Sequence, residues 1–537
     1  MNYETTTLGK LFEKRAGQYG DKTYLIFAGK EYSYKTMNEK INQVANALLR
    51  AGIKKGMPVN LHLGNCPEFL WTFFAISRIG AILTPSNLAY TKREAGYVIN
   101  HCDAVMSITH TAFQDLIKSI RPECPNLKQI VVIGGDKSDK EITTWEDFIS
   151  GASTELDAKI KEAPKPDDVF VTMYTSGTTA MPKGAMLRNQ NIISAAHAWM
   201  WTVGFTPKDR TLTGFPLFHA NALFFHCVGP LVFGGSVVLL EKFGVAPVIQ
   251  AVRDYKVTHT QIFGPIMVAM LADPKNPMFA LDSLRVAHVA GASPEVLENW
   301  CQKWEIPAVM VYNLTECACA ATTPISGPHP VKYGSIGWAA HSLPYPTELR
   351  VVDDNGNDTP PGVVGEITIK GPALMKGYFK DPQKTAETVR NGWLYTGDGA
   401  YRDEDGCLWF TDRLKDMLKP KGENVASIEV EEVIVSHPKV ADVGVIGVMD
   451  PVYGQEIKAS IVLAEGETAE TVNPEELIKW CNEHLAKFKV PRYWEYRDTP
   501  IPRLPGIPKI LKRDMRAEKA DNPTAGCYDA KTKKWVQ

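Results

Sequence analysis

Between Met37 and Leu83 the hydrophobic period switches from helical to extended, then back, then to extended again. That alternation restricts the fold more than any other feature. Met37, Ile41, Val44, Ala45 and Leu48 fall on one helical face, and Gly52 stops the pattern. Val59-Asn-Leu-His-Leu63 then reads as a strand, and Glu68 to Ile79 as a helix. Gly80 leads into a second strand at Ala81-Ile-Leu83. This rhythm predicts an α/β fold with parallel sheets. It changes after Tyr333. Thr347 to Val352, a turn at Asn355-Gly356, and Val364 to Lys370 predict a hairpin in a small β-barrel-like subdomain. After Arg413, strands near Val443 to Val448 and Lys458 to Val462 and a helix near Pro474 to Leu485 predict a small, mobile α+β domain. A chain of 537 residues exceeds the usual size of one domain. The division expected is an N-terminal domain over 1–412, a hinge at 413–415 and a C-terminal lid domain over 416–537, with a loosely packed tail after Ala520.

Charge and cysteine usage narrow the class. Lys plus Arg (59) nearly balances Asp plus Glu (61), so nothing in the balance suggests a phosphate-backbone partner, and no nucleic acid is expected. Ten cysteines are scattered without a Cys-x-x-Cys pair, which predicts free thiols in a reducing cytoplasm. Met1-Asn-Tyr-Glu has no basic region before an apolar core, and Trp535-Val-Gln537 is not a peroxisomal address. Thr211 to Leu240 carries no Asp, Glu, Lys or Arg. Its Pro216, His219, Asn221, His226 and Pro230 suit a buried strand, loop and helix, so no membrane span is expected.

Chemistry is concentrated in Tyr174-Thr-Ser-Gly-Thr-Thr-Ala-Met-Pro-Lys-Gly184. Four hydroxyl side chains and a glycine fill Thr175 to Thr179, with Lys183 close behind. Such a segment suits phosphate oxygens, through backbone N–H groups, hydroxyls and one point charge. It is not a Walker A loop, since the Gly-Lys-Ser/Thr ending is missing. Composition alone leaves a polar surface loop equally open.

The order of further motifs decides. Tyr312-Asn-Leu-Thr-Glu316, Tyr395-Thr-Gly-Asp398, Asp412-Arg-Leu-Lys415-Asp, Gly422-Glu-Asn-Val and Pro508-Lys509-Ile-Leu-Lys-Arg follow in sequence. Over about residues 10 to 515 the chain resembles the adenylate-forming superfamily of acyl-CoA synthetases, adenylation domains and luciferases. The resemblance implies an AMP-forming acid–thiol ligase of carboxylic acid metabolism, with ATP, Mg²⁺ and coenzyme A as cofactor and co-substrates and a small carboxylic acid as partner. A homodimer is admitted but not required. By resemblance, Thr175, Ser176, Gly177, Thr178, Thr179 and Lys183 hold the outer phosphates, Thr315 bonds the α-phosphate and Glu316 binds the metal. Gly291, Ala292, Ser293, Tyr312 and Asn313 line the base, and Asp398 and Arg413 hold the ribose. Lys509 is the catalytic lysine, with Lys512 as fallback, because Ile507-Pro508 replaces the usual glycine before it. Ala180 also departs from a family glycine. Lys415 matches the hinge, Gly422 and Glu423 the coenzyme A path, and His219 an aromatic gate on that path. Trp199, Trp201, Asn221, Phe263, Met267, Cys317 and Trp338 are the expected acyl pocket.

Their nearly neutral, aromatic character suits an apolar acid, an aromatic acid or a betaine. The pattern is similar to the carnitine/crotonobetaine-CoA ligase branch. Loading of a carrier protein and luciferase-like oxygenation are the rival activities. Lys509→Ala is expected to lower adenylation, measured as pyrophosphate exchange, at least ~10²-fold; exchange at the wild-type rate would rule out the assignment.

Overall fold

The computed structural model describes residues 6–156, 163–175, 181–272, 281–290, 292–322, 331–339, 341–342, 345–414, 416–418, 420, 425–450, 454–503 and 510–536. They form two compact units. One holds Met1–Leu349 with Thr368–Tyr395, and the other Arg350–Ile367 with Thr396–Gln537. Arg350–Ile367 and Thr396–Asp412, expected in the N-terminal domain, thus cluster with the C-terminal part.

The first unit follows the predicted rhythm. The helix Tyr34–Arg50 is capped by Ser33, whose hydroxyl accepts from Thr36 N–H, and it buries Met37, Ile41, Val44, Ala45 and Leu48. The helix Pro67–Ile79 ends where Gly80 adopts a left-handed φ of 75°, and the strand Ile82–Pro85 follows. Gly80 is needed there, since its conformation strains any residue with a Cβ. Two mostly parallel sheets result. One has eight strands, with Pro58–His62, Ile82–Pro85 and Val169–Thr175 at its centre. The other has nine, and Arg210–Thr213, His259–Phe263, Val286–Ala290 and Ala308–Leu314 pair in parallel along it. The charge-free stretch from Thr211 becomes a strand, a wide-turned π-type helix Asn221–Val228, a short helix and the strand Ser236–Leu239. Among the described residues no helix is long and apolar enough to cross a membrane.

The second unit contains the expected α+β domain. Its sheet is built on the strands Val440–Asp450 and Gly454–Leu463, and the helix Pro474–His484 belongs to the same core. The tail corrects the sequence reading. Tyr528–Asp529 pairs with Tyr493–Tyr496, Cys527 is fully buried, and Asp529 holds Arg492 at 3.1 Å. A paired edge strand with a buried anchor is packed structure.

Three histidines are buried together in the first unit. The His288 ring lies 5.5 Å from that of His226 and 6.0 Å from that of His259, and Trp199 meets it edge-on at 4.6 Å. Asp209, paired with Arg285 at 2.6 Å, lies 3.9 Å from His259. Burial pushes His226 down to about 3 and His259 to about 4, and holds His288 well below the ordinary imidazole value. Unfolded chain therefore takes up protons below about pH 6.5 that the folded state refuses. Stability is fully present above that pH and falls with acidity toward the folded values, by roughly 1.4 kcal/mol per histidine per pH unit. Urea melts from pH 7 to 5 should show this slope, and His288→Gln should reduce it by about one proton's worth; a pH-independent midpoint would contradict it.

Candidate active site

The hydroxyl-rich segment is the connection of a hairpin. Val169–Thr175 runs antiparallel to Lys183–Arg188, with Thr175 opposite Lys183 and Tyr174 opposite Gly184. Register thus fixes both ends of the segment. A Cβ at Gly184 would stand 2.7 Å from Thr172 Cγ2, so any larger residue there would have to displace the neighbouring side chains. Ser176, Gly177, Thr178, Thr179 and Ala180 themselves lie outside the described residues.

Thr315 and Glu316 make the tight turn between Ala308–Leu314 and Cys317–Thr322, where Leu314 pairs with Cys317. The turn is held from outside. Glu316 C=O accepts from Met375 N–H at 2.8 Å, and the Tyr378 hydroxyl donates to Glu316 Oε1 at 2.7 Å. Tyr378 pairs in turn with Ala185, and the Lys183 ammonium lies 5.8 Å from its ring centre. Burial and the neighbouring Glu316 charge push the Tyr378 phenol far up, so it stays a donor. The sequence reading missed Tyr378. Its only local signal is an aromatic after Gly377, and its partner is 62 residues away.

Other candidates gather along the same edge. Ala292 and Ser293 follow the strand Val286–Ala290, and the Ser293 hydroxyl caps the helix Pro294–Trp304 by accepting from Val296 N–H at 3.3 Å. The buried Tyr312 and its neighbour Asn313 lie near the carboxyl end of the adjacent parallel strand. His219 and Asn221 follow Arg210–Thr213, and Met267 follows His259–Phe263. Segments leaving the carboxyl ends of parallel strands form the usual ligand crevice of such sheets. Gly291 and the Phe263 side chain lie outside the described residues.

His219 is half-buried, its ring 4.5 Å from Phe218, and burial pushes it down to about 4. It is a neutral ring near pH 7. Its Nε2 and the Asn221 Oδ1 are enclosed without a described protein partner. Trp199, Met267 and Cys317 are fully buried, and Trp338 is half-buried with Lys332 6.0 Å from its ring. Trp201 does not join them. Two residues beyond Trp199 on the helix Asn189–Thr202, it points the other way, is 54% exposed and stacks on His197.

In the second unit, Asp398 and Arg413 are cross-strand partners, with Nε to Oδ1 at 3.8 Å. Lys415, Gly422, Glu423 and Lys509 lie outside the described residues. Pairs flank two of these segments: Leu418 with Val425, and Arg503 with Ile510. Lys512, the fallback lysine, is buried and bound to Ser427 and Glu431, so its charge is already engaged.

Comparison with known proteins matches residues 12–379 to the AMP-binding enzyme family and 429–503 to the AMP-binding enzyme C-terminal domain. The crotonobetaine/carnitine–CoA ligase of Salmonella agona is 33% identical over 95% of this chain and 98% of its own. The anthranilate CoA ligase AuaEII bound to anthranoyl-AMP superposes with a TM-score of 0.86 at 27% identity, over 96% of this chain and 97% of its own. The o-succinylbenzoate CoA synthetase of Bacillus subtilis with ATP and magnesium gives 0.80 at 27%, over 93% and 98%.

Tyr378→Phe keeps the ring and removes only the hydroxyl. If Glu316 holds the metal that the sequence analysis expects, the Mg²⁺ concentration for half-maximal activity should rise about 10-fold, while the melting temperature stays within about 4 °C. An unchanged Mg²⁺ titration would count against Tyr378 orienting Glu316.

Proposed function

The chain belongs to the AMP-binding enzyme family, and on that premise we propose that it is an AMP-forming acid:CoA ligase. The substrate carboxylate attacks the α-phosphorus of ATP and displaces pyrophosphate, giving an acyl-adenylate. The thiol of coenzyme A then attacks the acyl carbon and displaces AMP. One observation supports this most: Thr315-Glu316 stands at the carboxyl end of a parallel strand, tied through Tyr378 to the strand that opens at Lys183.

Each residue has a chemical task in this reading. Thr175 to Thr179 and Lys183 hold the outer phosphates, and Thr315 donates to the α-phosphate, where charge develops. Tyr312 offers its ring to the base, with Gly291, Ala292 and Ser293 on the other side and Asn313 beside it. Asp398 accepts from the ribose hydroxyls, next to Arg413. Lys509 orients the attacking carboxylate. Glu316, a hard oxygen donor whose orientation Tyr378 fixes, fits Mg²⁺ shared with phosphate oxygens. Bound there, the ion would offset phosphate charge.

The second half-reaction uses a turn of the C-terminal domain about the hinge at 413–415. Gly422 and Glu423 then line the thiol's approach, gated by the neutral ring of His219. The acid carries one carboxylate. Trp199, Asn221, Met267, Cys317 and Trp338 are all uncharged, so a second carboxylate finds no partner among them.

A panel of acids assayed for AMP release with and without coenzyme A tests the reading. Monocarboxylates, including aromatic acids and betaines, should support coenzyme A-dependent release, with dicarboxylates at least ~10-fold lower in kcat/KM. Release that ignores coenzyme A for every acid would overturn it.

A further inference from the structure

Behind the candidate site, one face of the nine-stranded sheet is polar where an interior is ordinarily apolar. Alternation along His259–Phe263 and Val286–Ala290 sends Ile262, Ala287 and Val289 into the apolar core on one side. Gln261 and His288, partners in register, face the other way. There His288 meets Trp199 of the helix Asn189–Thr202 and His226 of the π-type helix Asn221–Val228. Trp199, His226 and His288 are each at most 1% exposed. Trp199 Nε1, His226 Nδ1 and both ring nitrogens of His288 are enclosed with no hydrogen-bond partner among the described residues. Buried polar atoms are ordinarily paired, so four such nitrogens on three adjoining side chains call for a ligand that pairs them.

The group is continuous with the edge of the site. Asn221 opens the π-type helix half-buried, and His226 lies five residues on, roughly one turn of an i→i+5 helix. Such helices are rare and recur at functional sites. His288 stands two residues, about 7 Å, short of the carboxyl end of its strand, after which Ala292 and Ser293 follow. A row of polar atoms thus leads inward from the edge. Burial holds His226 and His288 far below the ordinary imidazole value, so both rings are neutral near pH 7. A neutral imidazole has one donor and one acceptor nitrogen, and Trp199 adds a donor. His259 is already engaged by the Thr258 hydroxyl at 2.8 Å, and the Asp209–Arg285 pair beyond it is internally neutralised. A hydroxyl, which both donates and accepts, satisfies this set; a methyl group leaves it unpaired.

We propose that Trp199, His226 and His288 form the inner end of the acyl pocket and select an acid whose far end bears a neutral hydrogen-bonding group, a hydroxyl foremost. The proposal rests on the acid:CoA ligase reading and narrows its substrate class. It makes a polar tail favourable where an apolar floor would reject it. A site built to hydrogen-bond a substrate hydroxyl discriminates strongly against the analogue lacking it, because its own buried groups are then stranded.

The test is coenzyme A-dependent AMP release from matched pairs of acids that differ only in a terminal hydroxyl or methyl group: para-substituted benzoates and straight-chain acids of increasing length. In at least one pair the hydroxyl acid should be favoured at least ~10-fold in kcat/KM. His288→Leu should bring that preference within about 2-fold or reverse it. Trp199→Phe, which keeps a ring and removes the N–H, should move it the same way. A ratio measured within one preparation does not depend on the folded fraction, so unfolding cannot imitate this result. Trp199→Phe decides the matter if His288→Leu does not fold. Methyl acids equal to or better than their hydroxyl partners in every pair, or a hydroxyl preference undiminished in both variants, would overturn the proposal and leave the ligase reading intact. Release that is absent or ignores coenzyme A for every acid would overturn that reading, and the proposal with it.

Discussion

Parallel pairing between Val286–Ala290 and Ala308–Leu314, continued through His259–Phe263 and Arg210–Thr213, is the constraint from which the candidate site follows. Parallel strands share a direction, so their carboxyl ends share an edge. Four segments far apart in sequence therefore leave the sheet side by side. None of them needs a special local conformation to arrive there. Ala292-Ser293, Tyr312 to Glu316, His219 and Met267 are delivered by backbone hydrogen bonding alone.

Side-chain interactions then refine what the sheet delivers. Glu316 sits in a turn whose backbone is held by Met375 N–H, and the Tyr378 hydroxyl adds a hydrogen bond to its carboxylate. The donor comes from a two-residue strand seated on the other sheet, so the turn is referenced to both sheets of this unit. His219 carries no charge near neutrality, because its enclosure disfavours the imidazolium. A neutral ring suits a passage for an acyl chain or a thiol better than a charged one.

Much of this was legible in the residues. The helix from Met37 to Leu48, the stop at Gly80 and the strands of the small domain follow from hydrophobic period and glycine placement, both local signals. The hydroxyl-rich segment stood out in the residues, but its closure by Thr175 and Lys183 did not, since cross-strand register is a property of two strands. Tyr378 was hidden for the same reason. Trp201 should have been separable from Trp199, because two residues along a helix turn the side chain by about 200°. Lys512 read as the fallback for Lys509, and only its tertiary burial against Ser427 and Glu431 reveals that its charge is engaged. The packed tail was missed because Cys527 and Tyr528 are too few to make a periodic pattern.

That tail has a practical side. Tyr528–Asp529 covers one edge of Tyr493–Tyr496, and Lys534–Trp535 covers it in turn. A protein cut at Ala520 would present Tyr493–Tyr496 with open backbone donors and acceptors, beside an apolar Trp494 made for burial. Exposed edges of that kind recruit other chains. Shortened forms of this protein should thus be judged by their tendency to self-associate before their turnover is interpreted.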